Sequence, residues 1–172
     1  VITFKNSQYC IAKNNTLIAT DSAGGVEMNN ADYCIIEDNT FIGGTNGIVL
    51  AAQAGSCNNN IIRNNTIMEC EYGLSKDFSW GPNNDNIIYH NKFINNSLNA
   101  FDDGTNIWDN GYLLGGNYWD DYTGTDADDD GIGDMPYYIP GDSNLDNYPL
   151  GYFHPIADYT YTPLNPSTHS NI

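Results

Sequence analysis

The sequence predicts an all-β fold, a right-handed parallel β-helix of about four coils, closed by an irregular acidic and aromatic C-terminal cap. Three observations carry this expectation. Four internal segments superimpose without gaps, their apolar residues fall into columns when stacked, and thirteen of the 22 acidic residues lie from Asp102 onward.

The repeats span 9–18, 33–42, 59–68 and 85–94, at offsets of 24, 26 and 26 residues. Stacked in that register they give one apolar row of Ile11, Ile35, Ile61 and Ile87, and another of Leu17, Phe41, Ile67 and Phe93, both expected to face inward. Between them runs a row of Asn15, Asn39, Asn65 and Asn91. Each unit is too short, and too rich in β-branched residues, Asn and Gly, for a helical pair. It therefore reads as one coil whose strands pair with the coils above and below at about 4.8 Å. Asparagine suits the corner, because it tolerates the left-handed conformation and its amides can hydrogen-bond along the stack. A further strand per coil follows Gly25, Gly47 and Gly73, and then comes Ala100-Phe101. A leucine-rich repeat shares the period. It would require leucines at Cys10, Cys34, Asn60 and Asn86, where polar amides are not expected to fill a core, so the β-helix is preferred.

A chain of 172 residues with 40% hydrophobic and 13% aromatic residues suffices for one domain with a continuous core. We divide it into coils over 1–109, a cap over 110–158 and a linker or tail over 159–172. The formal net charge of −17, with Lys5, Lys13, Arg63, Lys76 and Lys92 as the only Lys and Arg, repels nucleic acid and anionic headgroups and excludes both as partners. Divalent cations or a salty medium fit the charge better. No apolar run is long enough to span a membrane. The chain opens directly in a strand, which reads as a cut from a longer precursor whose first coil is completed by upstream residues or by another protein. Four cysteines, few lysines and sequons at Asn14, Asn64 and Asn95 point to an extracellular, cell-surface location with glycosylation at those asparagines.

The repeats resemble those of the NosD-like parallel β-helix family, whose β-helix domain is grouped with carbohydrate-binding and sugar-hydrolase proteins. Gly115-Gly116-Asn117-Tyr118-Trp119-Asp120-Asp121-Tyr122-Thr123-Gly124, the stretch 126–134 and Asp146-Asn147-Tyr148-Pro149-Leu150 are similar to a closing segment of archaeal cell-surface members. The resemblance implies the fold and an archaeal source, and leaves the activity open.

Among chemical motifs the most specific is Asp126-Ala127-Asp128-Asp129-Asp130-Gly131-Ile132-Gly133-Asp134. Its carboxylates match positions 1, 3, 5 and 9 of a calcium loop, the glycine stands at position 6 and the Ile132 carbonyl falls at position 7. Position 12 is Tyr137, not Glu, so Asp142, Asp146 or a backbone carbonyl would have to complete a Ca2+ shell. Cys10 and Cys34 share a row, within disulfide reach, and are either bridged or stacked as thiols. Cys57 and Cys70 are expected to staple the two loops flanking one strand pair. Copper delivery, the activity in the family's label, would want clustered soft ligands, whereas Met28, Met68, Met135, His90, His154 and His169 are scattered. His90 shares a polar surface row with Asn14, Asp38 and Asn64. Lys13, Glu37, Arg63 and Tyr89 form an outward row of mixed charge. Asp102 and Asp103 beside Trp108 and Asp109 are the best acid cluster for polysaccharide chemistry, though a role in seating the cap is preferred. Trp80, Trp108, Trp119, Tyr112, Tyr118 and Tyr122 can stack on sugars or cover the last coil.

The leading functional expectation is a calcium-stabilised structural module of an archaeal surface layer, sheath or adhesin, contacting copies of itself or other surface proteins. A polysaccharide-binding or polysaccharide-cleaving domain and a NosD-like copper-loading accessory protein are the alternatives.

Overall fold

The computed structural model describes residues 1–20, 24–52, 55–76 and 83–151. The first coil holds β1 (Ile2–Gln8), β2 (Ile11–Lys13) and β3 (Thr16–Ile18), and the second β4 (Val26–Asp32), β5 (Ile35–Glu37) and β6 (Thr40–Ile42). The third holds β7 (Asn46–Ala51), β8 (Ile61–Arg63) and β9 (Thr66–Met68), and the fourth β10 (Tyr72–Lys76), β11 (Ile87–Tyr89) and β12 (Lys92–Ile94). β13 (Leu98–Ala100) and β14 (Tyr118–Trp119) extend two of the stacks, and β15 (Tyr137–Tyr138) pairs antiparallel with β16 (Leu145–Asp146). Three parallel sheets result, ordered β1-β4-β7-β10-β13, β2-β5-β8-β11 and β3-β6-β9-β12-β14. The fold is thus an all-β solenoid of about four turns, with no helix among the described residues.

The register follows the repeat, with Ile11 opposite Ile35, Ile35 opposite Ile61 and Ile61 opposite Ile87. Which face that row occupies is a correction. Ile11 is 62% exposed and Ile35, Ile61 and Ile87 are half-buried, whereas Ala12, Ile36, Ile62 and Ile88 are at most 3% exposed and form the inner column. The corners decide this. Tyr9, Tyr33, Asn59 and Asp85 at one end of the short strand, and Asn14, Asp38, Asn64 and His90 at the other, adopt left-handed φ between 55° and 59°. The residue after each corner turns inward. A three-residue strand between two inward corner residues has only its middle side chain inside, because side chains alternate strictly along a strand. The left-handed residue is therefore the one before each ladder asparagine, not the asparagine itself.

The inward corner residues form amide ladders. Asn39, Asn65 and Asn91 each donate a backbone N–H to the Oδ1 of the next asparagine at 3.0–3.1 Å, and the ladder ends on Asn117. Their Nδ2 groups donate to the same oxygens at 2.9–3.0 Å, and also to Ala12, Ile36 and Ile62 carbonyls one coil back at 2.9 Å. A second ladder runs from Cys34 through Asn60 and Asn86 to Asn106. Asn60 and Asn86 are fully buried, so the expectation that amides cannot fill that position is also corrected. A buried amide is tolerated when every donor and acceptor is met, and the stacked repeat meets them.

Inside the third sheet Phe41, Ile67, Phe93 and Trp119 stack in one column, and Val26, Ile48, Leu74 and Ala100 in the first sheet face them from another. Gly25, Gly47 and Gly73 open that second column, where a Cβ would strike the carbonyl of the next coil.

Candidate metal centre in the acidic cap

The open end of the last coil is covered by a stack of rings. Trp119 lies on Phe93 at 4.5 Å and 6°, and Tyr137 lies on Trp119 at 4.1 Å and 7°. Trp108 leans on Trp119 at 5.8 Å. Each buried indole needs an acceptor, since its N–H has no water to turn to. Asp102 accepts from Trp108 Nε1 at 2.8 Å, and Asp146 accepts from Trp119 Nε1 at 2.9 Å. Asp102 is 2% exposed and also receives Gly104 N and Asn106 Nδ2. It therefore seats the cap, as preferred, and Asp103 pairs with Lys76. Asp146, fully buried, receives the backbone N–H groups of Asn117 and Tyr148 as well. It is the terminus of the asparagine ladder and is committed there, so it is not available to complete a metal shell.

Burial holds the Asp146 carboxyl up at about 6 despite these donors. Because the folded value lies above the ordinary one near 3.8, the group's contribution to stability is complete below pH about 4 and is lost as pH rises through about 6. Trp119 emission should therefore titrate with a midpoint near pH 6, and an Asp146→Asn variant should show no such step. A wild-type emission flat between pH 4 and 8 would contradict this placement.

The calcium-loop motif forms a compact turn beside this core. Asp126, Asp128 and Asp130 each bring a carboxylate oxygen to within 4.8 Å of the others. Asp126 accepts the N–H groups of Asp130 at 3.1 Å and Gly131 at 2.9 Å, and Gly131 takes φ +88°. The first carboxylate thus folds the chain back over itself, which brings the third and fifth positions round to meet it. Asp130 accepts the Ile132 N–H at 2.8 Å, and Tyr112, which the spacing did not flag as a loop contact, donates its hydroxyl to Asp130. That bond, then the charge of Asp130, pushes the Tyr112 phenol up to about 12. Asp134 lines one cavity with Asp128, Asp130 and Ile132. Its carboxylate accepts from Thr125 Oγ1 and Ala127 N, closing the base of the loop. Ile132 bridges Leu150, which ties the loop to the cap.

The other candidates disperse. All four cysteines are free thiols. Cys57 Sγ donates toward the Met28 carbonyl within β4 and the Ala51 carbonyl at the end of β7, whereas Cys70 Sγ donates toward Gly43 and Met68 just past β6 and at the end of β9, and both are free thiols, so the expected 57–70 staple is corrected. Burial raises both thiols above their ordinary range. Cys10 and Cys34 are neighbours as expected, unbridged, with the Cys10 N–H on Cys34 Sγ at 3.3 Å. Lys13, Glu37, Arg63 and Tyr89 close into one chain of ion pairs and hydrogen bonds on the surface. Asn14, Asn64 and Asn95 are exposed at left-handed corners. His90 contacts the Leu114 carbonyl. Trp80, His154, His169 and the tail over 159–172 lie outside the described residues.

Fold and cap together define a short parallel β-solenoid whose closing segment carries an oxygen-rich loop. The profile of the NosD family, described as periplasmic copper-binding protein, matches residues 1–124, and the chain belongs to this family. Neither a curated protein nor a solved structure gives a match. Copper in its reduced form favours clustered Cys, Met or His. Among the described residues the three aspartates are the only convergence of three His, Cys, Asp or Glu ligands, and Cys10 with Cys34 offers only two sulfurs. Met28 is buried in the core and Met135 is exposed in the cap. The aspartate trio has the oxygen donors a hard cation takes, and the paired sulfurs of Cys10 and Cys34 are the softer donors.

Proposed function

We propose that this chain is a calcium-stabilised β-helix module of an exported protein, a rigid structural element of an archaeal surface layer, sheath or adhesin. The observation that carries the reading is the convergence of Asp126, Asp128 and Asp130 within 4.8 Å, on a loop folded back by the N–H groups of Asp130 and Gly131. Alternate carboxylates at that spacing meet a hard cation's demand for several oxygens, and the Ile132 carbonyl and waters complete the shell. The uncompensated charge of the cap supplies the reason for a cation, since carboxylates so close repel one another. Exposed Asn14, Asn64 and Asn95 would carry glycans, and lateral faces would contact copies of the chain or other surface proteins.

The test is thermal. A ligand that binds only the native state at about a hundred times its Kd adds about 2.7 kcal/mol. For a domain of this size that is a shift of roughly 5–10 °C. Adding chelator should lower the melting temperature by that amount, and an Asp128→Ala variant should melt like the chelated wild type, with or without calcium. A wild type indifferent to chelator would overturn the reading.

The family's description favours a second reading, a copper-loading accessory role. Competition of the protein with a Cu(I) chelator discriminates the two. Retention of copper that a Cys10→Ser, Cys34→Ser double variant loses would favour the accessory role.

A further inference from the structure

A pocket of about 460 Å³ opens in the cap beside the last coil, with a lining that shares no residue with the aspartate trio. Tyr122, Tyr137, Tyr138 and Pro136 supply apolar walls, and Asp121 is the only charged side chain lining it. The three phenol hydroxyls are already committed to protein acceptors. Tyr122 donates to the Met135 carbonyl at 2.7 Å, Tyr137 to the Asp121 carboxylate at 3.0 Å and Tyr138 to the Asp142 carbonyl at 2.9 Å. Two consequences follow from elementary electrostatics. A phenol that donates its proton outward has a more electron-rich ring, and it no longer offers that proton to a sugar hydroxyl. The backing of Tyr137 by Trp119 at 4.1 Å fixes one wall.

The pocket's electrostatics are one-sided. No Lys or Arg lines it, none occurs in the sequence after Lys92, and the surrounding chain carries a formal charge of −17. Tyrosine side chains beside a carboxylate suit a cation whose charge is spread over methyl groups. Such a cation loses little hydration on entry and gains from both the ring quadrupoles and the carboxylate. We propose that this pocket binds an alkylammonium group, as carried by choline-type solutes or headgroups. The site goes beyond the calcium reading and does not depend on it.

The experiment is a titration of the full chain with choline chloride, followed by NMR at the Met135 methyl, in parallel with the uncharged isostere in which carbon replaces nitrogen. Choline should bind saturably, and the isostere about tenfold more weakly, since the charge–ring and charge–carboxylate terms are then gone. Tyr138 is 59% exposed, so its replacement leaves the core untouched. Tyr138→Leu should weaken choline about tenfold, and Tyr138→Phe, which keeps the ring, should stay within about twofold. Co-sedimentation with phosphatidylcholine vesicles that free choline reverses would assign the group to a lipid headgroup. Choline binding without sedimentation would assign it to a soluble cation. Equal affinity for choline and its isostere, or no saturable choline binding in either format, would overturn the proposal.

Discussion

An Ile62→Asp variant is expected to unfold, while Ile61→Asp, one residue away, keeps the fold. Ile62 is fully buried in the inner column between Ile36 and Ile88, so its replacement places a carboxylate where neither water nor a cation reaches it. An unpaired buried charge costs several kcal/mol, comparable with the roughly 5–15 kcal/mol that holds a domain together. Ile61 lies on the outer face and is half-buried by its neighbours along the strand stack, so the new carboxylate there stays hydrated. Far-UV circular dichroism with thermal melting separates the two. Equal loss of structure in both variants would mean that the inner and outer rows are wrongly assigned.

The second large effect lies in the asparagine ladder. Replacing Asn65 with Leu, close in volume and more apolar, should destabilise by about 3–5 kcal/mol, because it orphans several groups at once. Asn65 Oδ1 accepts both the N–H and the Nδ2 of Asn39, and its own Nδ2 supplies the Ile36 and Arg63 carbonyls and Asn91. Asn15 stands at the half-buried start of the same ladder and donates only to Lys13 and Asn39. Asn15→Leu should therefore cost under about 1 kcal/mol. Denaturant unfolding of the pair measures the contrast. Similar losses at both positions would mean that the ladder's satisfaction does not grow with burial.

These two variants also mark what the sequence could and could not reveal. The offsets of 24 and 26 residues carried the register of the repeat strands in the second and third sheets, because gap-free repeats leave no freedom in stacking, whereas β4 and β7 of the first sheet pair 22 residues apart, since the gap between the two strand motifs varies. The face of the isoleucine row was not legible, since Ile-Ile occurs at both positions in three of the four repeats: Ile35-Ile36, Ile61-Ile62 and Ile87-Ile88. Only the first repeat held the signal, with Ala12 beside Lys13, and a small residue in a tapering end coil is an ambiguous one. The burial of Asn60 and Asn86 was hidden for a different reason. Composition scores an amide as polar, whereas stacking turns its neighbour into its solvent. In the cap, the aspartates at the first, third and fifth positions of the loop were legible from alternation alone. The hydrogen bonds from Thr125 to Asp134 and from Trp119 to Asp146 were not, because both depend on which hydroxyl and indole donors the fold delivers. The tyrosine pocket drew on rings 15 residues apart, Tyr122 and Tyr137, which no local pattern links.

Calorimetric titration of chelator-stripped protein with calcium should give a saturable heat for a single ion, and Asp128→Asn should abolish it while leaving the far-UV spectrum unchanged. A flat titration of the wild type, or an undiminished heat in the variant, would contradict a calcium site at Asp126, Asp128 and Asp130.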